Sequence, residues 1–232
     1  MAESAPRQNV TFASNGGQAH GYLARPVSGT GPGVVLIQEW WGLDDHMADV
    51  ADRLASEGFV TLAPDLYGGR VAHDADDAGR LMSELPPEQA ARDLAGAVDF
   101  LLASPDVTSA QVGVIGFCMG GGFVLELTAQ QGDRIGAAVP FYGVGQARPE
   151  HYRNITAPIQ GHYGEKDAFY PVEQARAQEA QIRADSQNAV EFFYYPAGHA
   201  FLNEKDKLGT YDPQSAKLAW DRSIAFLKAN VA

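Results

Sequence analysis

A chain of 232 residues, 45% of them hydrophobic, is long enough to close one sizeable core, and nothing in it reads as a linker, so a single domain over 1–232 is expected. Its formal charge of −12 repels a phosphate backbone, and no basic stripe with interleaved aromatics offsets that, which argues against a nucleic-acid partner. No apolar run approaches the roughly eighteen residues that span a bilayer, Met1 to Asn9 lacks the apolar segment of a secretory signal, and a lone cysteine forms no internal disulfide, so a cytoplasmic protein without a membrane partner is expected.

Short apolar or alternating runs alternate with longer amphipathic segments, the pattern of a mainly parallel sheet covered by helices on both faces. Strands are predicted over 9–12 and 19–24, forming a hairpin at the sheet edge, then a buried strand over 33–38, a helix over 45–56 and a strand over 58–63. Helices follow over 75–84 and 87–103. The acidic run Asp74-Ala75-Asp76-Asp77 suits the N-terminal dipole of the first, and Pro86-Pro87 starts the second, which stops before Ser104-Pro105. The next strand holds Val112-Gly113-Val114-Ile115 and leads to a helix over 119–130 and strands over 137–142 and 157–163. A helix over 172–184, a strand over 190–195 and a helix over 212–229 complete the chain, with no internal repeat and no helical insertion long enough for a separate lid.

The only cysteine, Cys118, stands between two glycines in Gly116-Phe117-Cys118-Met119-Gly120, directly after a predicted strand and before a predicted helix. That is the sequence form of a nucleophile elbow, a sharp strand-to-helix turn that presents the apex side chain. Glycines two before and two after remove the Cβ atoms that would collide where strand and helix cross. A free cysteine is also among the most often buried residue types, a small hydrophobe, and that reading stands until other residues are considered. Two others favour the elbow. Asp167, in Gly164-Glu165-Lys166-Asp167, and His199, in Gly198-His199-Ala200-Phe201, each follow the C-terminal end of a predicted strand. Nucleophile, acid and histidine in that chain order is the order of α/β-hydrolases, whose sites gather at the C-terminal edge of the sheet.

The thiolate is the attacking form of cysteine, so His199 is read as the base and Asp167 as the group that holds its tautomer. The tetrahedral oxyanion needs two backbone donors, for which the amides of Met119 and Trp40 are the candidates. Trp40 belongs to Gln38-Glu39-Trp40-Trp41-Gly42, the loop after the predicted strand over 33–38. Glu39 is a carboxylate ending a strand of Val, Leu and Ile and is placed beside the thiol, with an ion-paired structural glutamate as the competing reading; Trp41 is assigned to packing. The other five histidines are read as structural or solvated. With no second thiol or His pair at ligand spacing, neither a metal nor another cofactor is expected.

At this point the chain resembles dienelactone hydrolase, the carboxymethylenebutenolidase family of cysteine α/β-hydrolases. The resemblance rests on Gln-Glu-Trp-Trp-Gly at 38–42, Ala-Pro-Asp-Leu-Tyr at 63–67, Gly-Phe-Cys-Met-Gly-Gly at 116–121, Tyr-Gly-Val-Gly at 142–145, Gly-Glu-Lys-Asp at 164–167 and Gly-His-Ala-Phe at 198–201. It implies an α/β-hydrolase fold without a lid domain and cleavage of small lactones or esters through a thioester. It also implies a triad of Cys118, Asp167 and His199, an oxyanion hole at Trp40 and Met119, and Glu39 as acceptor of the thiol proton when substrate binds. Where the family places an arginine four residues after the histidine, this chain has Asn203, and Ala75 stands at the nearest match to the family's other clamping arginine. Substrate-binding candidates are Asn203, Phe201 and Arg80, with Arg70 and Arg80 equally suited to a solvated surface. The expected partner is a small lactone or ester, and the expected assembly a monomer or small homo-oligomer. Competing readings are a general short-chain carboxylesterase with weak preference for a carboxylate, and a non-catalytic thiol sensor. A class I glutamine amidotransferase is disfavoured because its acid follows the histidine by two residues, where this chain has Phe201.

Overall fold

The computed structural model describes residues 7–14, 16–145, 152–186 and 188–231. Residues 1–6 of the polar N-terminal stretch, and Asn15 at the turn of the expected hairpin, lie outside the described residues. Backbone contacts divide the chain into two compact units, Met1–Val112 and Gly113–Ala232.

The first unit holds β1 (Val10–Ser14), β2 (Gly17–Ala24), β3 (Gly31–Ile37), α1 (Asp45–Ser56), β4 (Val60–Pro64), α2 (Ala75–Glu84), α3 (Pro87–Ala103) and the first half of β5 (Val107–Phe117). Its strands run in the order β1-β2-β4-β3. β1 and β2 pair antiparallel as the expected edge hairpin, with Phe12 opposite Ala19, and β3 pairs parallel with β4, with Val34 opposite Thr61. Val34, Val35, Leu36 and Ile37 are wholly buried, as a strand covered on both faces requires. Helix starts follow the capping signals. Asp44 accepts from the Met47 amide at 3.1 Å, Asp74 accepts from the Asp77 amide at 2.8 Å, and Pro87 opens α3.

The second unit contains the rest of β5, α4 (Met119–Gln131), a single 3₁₀ turn (Gly132–Arg134), β6 (Ile135–Phe141), β7 (Ile159–Gly164), α5 (Val172–Asp185), β8 (Val190–Tyr195) and α6 (Pro213–Asn230). Strand order is β5-β6-β7-β8, and β6–β7 and β7–β8 pair parallel, Phe141 opposite His162 and Tyr163 opposite Tyr194. The differences from the sequence reading lie at element ends. β5 begins at Val107, ahead of the apolar run at 112–115, and its first residues alternate between half-buried and exposed and carry Thr, Ser and Gln. β3 stops at Ile37, so Gln38 and Glu39 lie just past its end. Asp212 caps α6, accepting from the Ser215 amide at 2.7 Å, and is not its first turn.

Candidate active site

β5 ends at Phe117 and α4 begins at Met119, leaving Cys118 alone at the junction with φ +54° and ψ −118°. This backbone conformation is costly for a residue with a Cβ, on the order of 1–3 kcal/mol, and persists only where its surroundings fix it. They do so here. The Cys118 amide donates to Phe141 O at 3.0 Å, and the Cys118 carbonyl accepts from the amides of Gly121 at 2.9 Å and Gly122 at 3.3 Å. The glycines fit tightly: a Cβ on Gly116 would lie 2.4 Å from Gly120 O, and one on Gly143 only 2.0 Å from Cys118 O. Cys118 is 8% exposed, so the burial that its residue type suggested and the strained apex occur together.

Asp167 lies in the turn after β7. Its Oδ1 accepts from the amides of Phe169 and Tyr170, both at 2.8 Å, and its Oδ2 accepts from His199 Nδ1 at 2.7 Å. One carboxylate thereby closes its own turn and fixes the imidazole. His199 lies in the loop after β8, where Ala200 takes φ +55° and the Thr210 hydroxyl donates to the His199 carbonyl at 2.5 Å. The ring is also hydrogen-bonded to Cys118. Burial, the largest influence, works against a charged ring, but the hydrogen bond to Asp167, that to Cys118 and the charges of both outweigh it and raise His199 to about 10. Cys118, Asp167 and His199, separated widely in the chain, are thus brought together within the second unit.

Met119 opens α4, so its amide stands at a helix N-terminus. Glu39 and Trp40 belong to the first unit. Glu39 is 1% exposed, and its carbonyl accepts from the Gly42 amide at 3.2 Å, closing a turn in which Gly42 takes φ +98°. Trp41 is buried with its ring 5.1 Å from that of Trp40, in keeping with packing. Asn203 is buried, and its Oδ1 accepts from the Lys205 amide at 3.0 Å. Phe201 is fully buried, its ring 5.4 Å from Tyr142 and 5.1 Å from Tyr195, an environment of core packing. Arg80 is exposed on α2, held by Asp77 at 2.5 Å and Glu84 at 3.0 Å, while Arg70 holds Glu84 at 2.7 Å.

Three aromatic neighbours of His199 carried no functional assignment in the sequence reading. The rings of Phe169, Tyr142 and Tyr170 lie 4.9, 5.3 and 5.6 Å from the imidazole. Phe169 and Tyr170 follow the acid directly in Asp167-Ala168-Phe169-Tyr170, but only the turn around Asp167 brings them back onto the histidine.

The model of the dienelactone hydrolase family matches residues 19–231, spanning both units and all three of these positions. The chain belongs to the dienelactone hydrolase family. It is 38% identical over 227 residues to Protein usf of Aquifex pyrophilus, covering 95% of this chain and 97% of that one. With the carboxymethylenebutenolidase of Pseudomonas sp. strain P51 it shares 31% over 226 residues, covering 93% and 92%. A crystal structure of a dienelactone hydrolase-like promiscuous phosphotriesterase from metagenomic libraries superposes with a TM-score of 0.84 at 26% identity, over 99% of this chain and 100% of that one. The eight mostly parallel strands with their helices are therefore an α/β-hydrolase fold, and this member of the family is a hydrolase acting on esters or lactones.

Proposed function

We propose that this dienelactone hydrolase homologue cleaves small lactones and esters by covalent catalysis at Cys118, with His199 as proton carrier and Asp167 as its anchor. The observation that carries this reading is Cys118 at a strained strand-to-helix apex, hydrogen-bonded to a histidine whose other nitrogen is held by Asp167 at 2.7 Å. The sulfur attacks the acyl carbon, a C–S bond forms, and the carbonyl electron pair moves onto oxygen. The amides of Met119 and Trp40 are proposed to receive that oxyanion. Collapse breaks the C–O bond, and the leaving oxygen takes the proton carried by His199, giving a free alcohol or, from a lactone, a hydroxyl on the same molecule. His199 then deprotonates water, which attacks the thioester and releases the acid and the thiol group.

An imidazole raised to about 10 stays protonated at neutral pH, which suits the donor step and provides the positive charge that a thiolate needs beside it. Glu39 is proposed as the first acceptor of the thiol proton, a role its burial at the end of an apolar strand supports. The uncharged Asn203 supports a substrate range that includes neutral short-chain esters, since an amide donates a hydrogen bond without the charge of a guanidinium fork. One family model across both units supports reading them as one domain, and a cytoplasmic monomer or small homo-oligomer remains part of the proposal. A chromogenic ester tests it: wild type should turn over many equivalents and Cys118→Ala none. Release of at most one equivalent by wild type would instead establish a thiol that only forms adducts.

A further inference from the structure

Among the described residues, none accepts a hydrogen bond from the phenol of Tyr170. Its backbone amide is one of the two that close the turn around Asp167, and its ring lies 5.6 Å from His199. The side chain is half-buried, and its hydroxyl has no hydrogen-bond partner among the described residues. A phenol at the site whose hydroxyl is not tied to the described residues can donate to solvent or to a bound substrate.

We infer that Tyr170 is a further catalytic residue, donating a hydrogen bond to the leaving oxygen of the ester or lactone as the acyl C–O bond breaks. The inference rests on the covalent mechanism proposed above. In that mechanism His199 must hand its proton to the leaving oxygen, so this oxygen lies against the imidazole, the group beside which Tyr170 is fixed. The phenol also lies within the electrostatic field of Cys118 and of Asp167, close to both nucleophile and acid. Burial first, then those two charges, push its ionisation upward, so it keeps its proton through the cycle and acts as a hydrogen-bond donor while His199 transfers the proton. As the C–O bond breaks, its electron pair collects on the leaving oxygen, and a neutral donor aimed there stabilises the transition state more than the bound ester. The turn couples the two roles: the carboxylate that orients His199 also sets the backbone of Tyr170, so acid and donor are placed by one group.

The test is a series of acetate esters that share one acetyl-enzyme and differ in the alcohol released, from nitrophenol to ethanol, with kcat/KM plotted against leaving-group pKa for wild type and Tyr170→Phe. The phenylalanine keeps the ring and leaves both backbone bonds to Asp167 in place. Loss of the donor should cost about tenfold on ethyl acetate and less than about twofold on the nitrophenyl ester, which departs without help, so the dependence steepens. An equal loss across the series, or none, would overturn the role of Tyr170. Failure of the covalent mechanism itself is a separate result, since wild type would then carry no acetyl group on Cys118 with any ester of the series.

Discussion

Cys118 takes a backbone angle that a glycine would adopt freely, yet only a side chain with a nucleophilic atom gives the position a use. Its strain is held by the close approach of Gly116, Gly121 and Gly143, where a Cβ would meet backbone atoms at 2.4 Å or less. Glycine spacing around a strand end is visible in a sequence, which is why the elbow was legible there, and Asp167 and His199 were legible from their places after predicted strands. The ring contacts of Phe169 and Tyr170 were not, because they arise from a turn closed by Asp167 Oδ1 and carry no period. If Asp167 and His199 act as one unit, Asp167→Asn and His199→Ala should each lower kcat/KM by about a thousandfold or more, and the double variant should be little worse than the more damaging single. Steady-state kinetics on one ester decides this, and losses that multiply would separate the two residues. Glu39→Gln should fold normally, lower kcat and change the pH profile of Cys118 alkylation by iodoacetamide; an unaltered profile with unaltered activity would make Glu39 structural.

Element boundaries were legible wherever local chemistry marks them. α2 and α3 start where Asp74 and Pro87 place them, and β8 is an apolar run bounded by polar turns. The polar first half of β5 escaped notice because it carries Thr, Ser and Gln and no apolar run. β7 brings a different consequence, through His162 on its buried face. The imidazole stacks 4.5 Å from Phe141 and 5.7 Å from Phe193, with Nδ1 2.8 Å from the Tyr195 hydroxyl and Nε2 3.0 Å from the Ser223 hydroxyl. Burial first, then the charge of Arg222, lower His162 to about 3. Between that value and the ordinary 6.5 the unfolded chain binds a proton that the folded one refuses, so stability is fully present above about 6.5 and falls with acid by up to roughly 1.4 kcal/mol per pH unit. Chemical denaturation at pH 7 and pH 5 should show that His162→Phe loses less stability on acidification than wild type by about 2 kcal/mol, whatever its stability at pH 7. Equal acid sensitivity in the two proteins would remove His162 as the cause.

Across the whole molecule the formal charge of −12 bears on which substrates arrive. Arg70 and Arg80 are tied to carboxylates on the surface, and Asn203 is neutral, so none of these three candidates offers an anionic ester a free charge. For a matched pair of esters with and without a carboxylate, kcat/KM of the anionic member should rise at least about twofold between low and high salt while that of the neutral member stays level. Asn203→Arg should shift preference toward the anionic ester by about tenfold, the return of one partly solvated charge-assisted contact. A wild type already favouring the anionic member a hundredfold would point to another cation as its clamp.

The claim on which the rest depends is that the acyl group passes through Cys118. Rapid quenching of wild type with a short-chain ester, followed by peptide mass analysis, tests it directly. The account predicts one acyl group per chain on the peptide containing Cys118, absent from Cys118→Ala, which also fails to turn over. An acyl group on any other residue, or full turnover by Cys118→Ala, would contradict it.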